Sequence, residues 1–129
     1  MKRALLFAGL LILVSANLFG ADLSGIWTGQ TVARNGDPED VSFRFQQSGD
    51  VISGKMYGEN ESTPISEGKI EGDTIRFVVV TELNGQINRT IYSGHILNAK
   101  GDEIEVTRQR ENPRPNEKKT PPIRLHRVV

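Results

Sequence analysis

The chain has 129 residues, with 16 basic and 16 acidic side chains in formal balance and no cysteine. Balanced charge argues against a nucleic-acid binder and against a polybasic membrane clamp, since both need a basic surface. Without cysteine there is neither a disulfide nor a lipid-carrying thiol, so stability has to come from a packed core.

In chain order, Met1-Lys2-Arg3 gives a positive start, Ala4 to Val14 is an unbroken apolar run, and polarity returns at Ser15. This is the layout of a secretory signal peptide, with Ala16, Gly20 and Ala21 as small residues for cleavage. The run is short for a transmembrane helix, which needs roughly 20 apolar residues. Residues 1–21 are therefore read as a signal peptide cut near Gly20 or Ala21, and residues 22–129 as one domain without membrane attachment after cleavage. Losing Lys2 and Arg3 and no acidic residue leaves a net charge of about −2. A cysteine-free exported domain suits a bacterial periplasm or cell exterior.

The mature part carries one turn three times: Gly49-Asp50-Val51-Ile52, Gly72-Asp73-Thr74-Ile75 and Gly101-Asp102-Glu103-Ile104. Glycine at the first loop position supplies the positive φ that a tight primed hairpin turn demands. The acidic spacing is not that of a calcium loop. With Gly49-Asp50 as the loop, Gln47 faces Ile52, Phe45 faces Gly54 and Phe43 faces Met56. With Gly72-Asp73, Ile70 faces Ile75 and Gly68 faces Phe77. The third hairpin admits a two-residue loop, turning Ile91 and His95 inward, or a five-residue loop from Asn98 to Asp102, turning Tyr92, Gly94 and Ile96 inward. The longer loop is favoured because it sets Ile96 opposite Ile104.

Alternation of period two, plain in Val41 to Gln46 and Ile104 to Thr107, marks strands with one buried face. Adding a first strand, Ile26 to Arg34, and a last, Ile123 to Val128, predicts eight strands and no helix outside the signal peptide. The expected fold is an eight-stranded antiparallel up-and-down barrel, whose closure removes aggregation-prone edges. A two-sheet sandwich is the alternative. The stretch 111–122, rich in proline and basic residues, cannot be regular strand and is read as a flexible loop.

Asp22-Leu23-Ser24-Gly25-Ile26-Trp27 resembles the opening strand of calycins, the lipocalin and avidin-type barrels, with Gly25-Ile26-Trp27 matching their Gly-x-Trp. The mature chain also resembles short exported bacterial proteins of unassigned function that open in this way. The resemblance implies that Trp27 plugs one end of the barrel and that an Arg of the last strand, Arg127 or failing it Arg124, packs across it. Avidins line their biotin site with several tryptophans, whereas this chain has one. The helix and usual disulfides of lipocalins are absent too.

An eight-stranded barrel either fills itself with side chains or holds one small ligand. Trp27, Phe43, Phe45, Met56 and Phe77 would occupy much of the interior, while Gly54, Gly68 and Gly94 would free some of it or let the strands bend. Phe43, Phe45, Met56, Phe77 and Tyr92 are the candidate ligand-lining residues. His95 and His126 belong to no metal motif or nucleophile set, and Glu67 and Glu71 look like ordinary solvent-facing carboxylates, so no catalytic, metal or cofactor role is assigned. Asn60-Glu61-Ser62 and Asn88-Arg89-Thr90 are formal glycosylation sequons, relevant only to eukaryotic secretion. The leading expectation is a non-catalytic barrel binding a small apolar or sugar-like ligand. The alternatives are a module docking to another exported protein through the proline-rich loop, and an unrecognised enzyme.

Overall fold

The computed structural model describes residues 22–32, 36–58, 62–113, 115–117 and 120–129, with Leu83 described by its backbone alone. The signal-peptide reading and Arg34 fall outside these residues. Eight strands follow one another: β1 (Gly25–Val32), β2 (Pro38–Ser48), β3 (Val51–Tyr57), β4 (Ser62–Glu71), β5 (Thr74–Leu83), β6 (Gln86–Ile96), β7 (Glu103–Arg110) and β8 (Ile123–Arg127). Each pairs with the next, and β8 returns antiparallel to β1, closing an up-and-down barrel. That closure decides against the sandwich.

The repeated turn organises one end of the barrel. Gly49, Gly72 and Gly101 have φ of 63°, 60° and 70°. The aspartate carbonyl of each turn also accepts a backbone hydrogen bond from a strand beyond the hairpin: from Ile70 N–H to Asp50, from Ile96 N–H to Asp73 and from Arg127 N–H to Asp102, at 2.7 to 2.9 Å. Each hairpin is thus stitched to the next strand by the same atom. The Ile that follows each turn, Ile52, Ile75 or Ile104, points inward and is buried. Because the hairpins alternate, all three turns lie at one end, called here the turn end. The opposite end, where β1, β3, β5 and β7 finish, is called the loop end.

Register in the first hairpin matches the turn arithmetic, with Gln47 opposite Ile52 and Phe43 opposite Met56. In the third, Ile96 stands opposite Ile104, as the longer loop requires. Asn98 shapes that loop, its Oδ1 accepting from Asp102 N–H at 3.1 Å. The second hairpin departs from expectation: beyond Lys69–Arg76 the register slips, resuming at Ser66–Val78. β4 carries an extra residue there, with Glu67 at φ 53°, so Gly68 does not simply face Phe77. Such a bulge bends a strand sharply, which a small barrel needs.

The inward glycines do not open interior volume. A Cβ on Gly54 would lie 1.8 Å from the Arg44 carbonyl oxygen, and φ there is +142°. One on Gly94 would lie 1.7 Å from the Glu105 carbonyl oxygen. The missing side chains allow close approach of neighbouring backbones, the bending role rather than the volume role.

Aromatic rings occupy the barrel axis. Phe43 lies 5.5 Å from Phe45, 5.3 Å from Phe77 and 5.6 Å from Tyr92, and Phe77 stacks on Tyr92 at 5.0 Å. Trp27 meets Phe45 at 6.2 Å. Ring contacts at these separations add about 0.5 to 1.5 kcal/mol each beyond area burial. Isoleucines, valines and leucines surround them and complete one continuous core.

Candidate functional site

At the turn end, Trp27 is fully buried and its Nε1–H donates to the Leu23 carbonyl at 2.9 Å. Ile123, Leu125 and Arg127 share the inward face of β8, which brings Arg127 opposite Trp27 with its guanidinium carbon 5.1 Å from the ring centroid. Its Nη1 donates to the Ser24 carbonyl at 3.0 Å and its Nη2 to the Gly101 carbonyl at 2.6 Å. Arg127 therefore ties the N-terminal segment, the last strand and the third turn together over the indole. It stands where the other two hairpins place Ile70 and Ile96.

The loop end is built differently. Pro121 and Pro122 have no N–H to give a ladder, so β8 begins only at Ile123. Its pairing reaches Gly29 on β1 and Val106 on β7. Beyond those residues no β8 ladder stands between β1 and β7; this break in the ladder is called here the loop-end slot. Arg108 of β7 reaches across, its Nη2 donating to the Val32 carbonyl at 3.3 Å, and Thr120 donates to the Arg108 carbonyl at 3.1 Å.

Beside the slot sits Thr31, on the same face of β1 as Trp27. It is 6% exposed, and its Oγ1 has no hydrogen-bond partner. A buried hydroxyl left unmatched destabilises a fold by about 1 to 3 kcal/mol. Tyr92, the register partner of Arg108, donates its hydroxyl to the Met56 sulfur at 3.7 Å and is also hydrogen-bonded by the Arg108 side chain. Burial pushes the Tyr92 phenol above its ordinary 10.0, opposed by the neighbouring Arg108 charge and reinforced by Glu39. Glu39 is the register partner of Thr31. Arg108 and Glu39 thus act on the Tyr92 phenol from two strands, and Glu39 is paired in register with Thr31.

Described residues of the stretch 111–122 are tied back to the barrel. Glu111 N–H donates to the Arg89 carbonyl at 2.9 Å, and the Glu111 carboxylate takes the Arg89 Nε at 2.7 Å. Arg110 pairs with Glu117 at 3.1 Å. Arg89 also binds Glu67 at the β4 bulge, so one guanidinium joins the bulge to the start of the loop. Glu67 is solvent-facing, as the sequence suggests, and its carboxylate pairs with Arg89 at the surface.

Of the candidate ligand-lining residues, Phe43, Phe45, Phe77 and Tyr92 are brought together in the core, chiefly against one another, while Met56 is partly buried against it and takes the Tyr92 hydroxyl. His95 and His126 are exposed on outward positions near the turn end. Among the described residues no group of three or more His, Cys, Asp or Glu side chains could hold a metal ion. An open hollow of about 510 Å³ between the third turn and β8 is bordered by Lys100, Asp102, Glu103 and His126, and another of about 100 Å³ lies beside Arg89 and Glu111. Both are on the outer surface. Thr31, Glu39 and Arg108 were not singled out by sequence, although the alternation starting from Trp27 and from Ile104 turns Thr31 and Arg108 inward.

The closed eight-stranded antiparallel barrel is compatible with a calycin-like fold. Comparison with protein-family models, curated proteins and solved structures found no match.

Proposed function

We propose that this is an exported, non-catalytic binding module that takes a small hydroxyl-bearing, sugar-like ligand at the loop-end slot rather than in the barrel interior. The observation that carries this reading is the buried Thr31 hydroxyl without a partner, on the strand whose Val32 carbonyl takes the Arg108 guanidinium. Small-molecule sites combine an apolar floor with a few placed polar groups. The mixture of donors and acceptors here suits ligand hydroxyls, which both donate and accept, better than a bare hydrocarbon. The ring-on-ring packing below leaves the aromatics as floor and scaffold.

Native mass spectrometry of protein purified from its own host tests this. The wild type is expected to carry a small added mass that Arg108→Met loses. Equal retention by both proteins, or no added mass in the wild type, would overturn it.

A second reading, docking to another exported protein through 111–122, draws on the ties of Glu111 to β6 and of Glu117 to β7, because loops carried on rigid scaffolds often bind. In that case the co-purified mass is a protein.

A further inference from the structure

The chain has no cysteine and only two methionines, Met1 and Met56, so Met56 carries the single sulfur atom of residues 22–129. An oxidant arriving from solvent therefore meets one thioether and no thiol. Met56 takes an inward position on β3, opposite Phe43 on β2 and Thr63 on β4, and is neither fully buried nor exposed. Its sulfur has a buried partner: Tyr92 is 3% exposed and donates its hydroxyl to Met56 Sδ at 3.7 Å. Arg108 hydrogen-bonds the same phenol. A guanidinium has donors only, so Arg108 gives to the phenol oxygen and the phenol hydrogen is left for Met56. A thioether is a weak acceptor, and a buried donor is thus held by a poor partner. The spacing also suits a better one. An oxygen atom bonded to the sulfur and about 2.8 Å from the phenol oxygen spans the 3.7 Å between them with an ordinary bend at that oxygen.

We propose that Met56 is a reversible oxidation site of this protein, at which hydrogen peroxide converts the thioether to a sulfoxide whose oxygen accepts the Tyr92 hydroxyl. The peroxide O–O bond breaks, an S–O bond forms with sulfur as the two-electron donor, and the second oxygen leaves as water with both peroxide protons. Methionine is unbranched and has three rotatable bonds, so its sulfur can meet the oxidant on the solvent side and then turn the new oxygen inward. A methionine sulfoxide reductase restores the thioether. Sulfoxide formation in a core ordinarily disrupts packing; here a donor already in place offsets that loss. The site stands independently of ligand binding at the loop-end slot.

The test treats the protein, as its host exports it, with a small excess of hydrogen peroxide, followed by peptide mapping and melting. Wild type should gain one oxygen atom, at Met56, and Met56→Leu should gain none. The melting temperature of wild type should move by no more than about 2 °C on oxidation. That of Tyr92→Phe, whose sulfoxide has lost its donor, should fall by roughly 5 °C. Oxidation should also raise the higher of the two tyrosine titration midpoints in wild type, because an acceptor for the phenol proton favours the neutral form. Oxygen gained elsewhere than Met56, an equal fall in melting temperature for wild type and Tyr92→Phe, or an unmoved titration midpoint would overturn the proposal.

Discussion

Trp27 and Arg127 face each other across β1 and β8, and the guanidinium lying over the indole also bonds two backbone carbonyls from opposite ends of the sequence, Ser24 and Gly101. A shielded cation–π contact adds about 0.5 to 2 kcal/mol, and carbonyls stripped of donors add to the loss. Arg127→Ala is expected to destabilise by about 2 to 4 kcal/mol in a denaturant melt. Arg124 is an exposed partner of Glu105 at 3.7 Å, so Arg124→Ala should change stability by less than about 1 kcal/mol. Equal effects would show that the guanidinium is not what closes this end.

Gly54 separates bending from volume. If the backbone contact with Arg44 governs, Gly54→Ala alone should destabilise by more than about 2 kcal/mol, combining the positive φ with a steric clash. Gly49, also at positive φ but with nothing within 4 Å of an added methyl group, should tolerate Ala with a loss of about 1 kcal/mol. Comparing the two melts decides the matter; a mild effect at Gly54 would return the interior to consideration as a cavity.

Tyr92 gives the alkaline side of the stability curve a defined slope. Its folded pKa lies above 10.0 because burial penalises the phenolate. The fold therefore holds the proton more tightly than the unfolded chain does, and the stability it provides is complete below about pH 10 and lost as pH rises through the folded value. The difference in melting temperature between wild type and Tyr92→Phe should be constant below about pH 10 and then shift in favour of the variant. A constant difference throughout would place the phenol in water.

Much of this architecture is legible in the sequence because glycine at a hairpin turn fixes register, and register fixes which face each residue takes. Gln47 against Ile52 and Ile96 against Ile104 follow from that arithmetic. The bulge at Glu67 does not, since a non-glycine residue at positive φ carries no local signal and is held there with the help of Arg89 from another strand. The Asn84-Gly85 turn joining β5 to β6, both residues at positive φ, is a strong hairpin signal of the same kind. The slot was hidden for another reason. A threonine or an arginine at the inward position near a strand end reads as the chain meeting solvent, and only closure of the barrel, with β8 cut short by two prolines, brings Arg108 across to the carbonyl of Val32, next in sequence to Thr31.

Thr31→Val tests the slot most directly, because it removes the unpartnered hydroxyl at nearly constant volume. The buried group detracts from folding and serves only a bound ligand on this account, so the variant should be more stable than wild type by about 1 kcal/mol and should lose the small molecule retained by wild type purified from the same host. A variant that is less stable, or one that keeps the ligand with undiminished occupancy, would contradict a binding site at the loop end of the barrel.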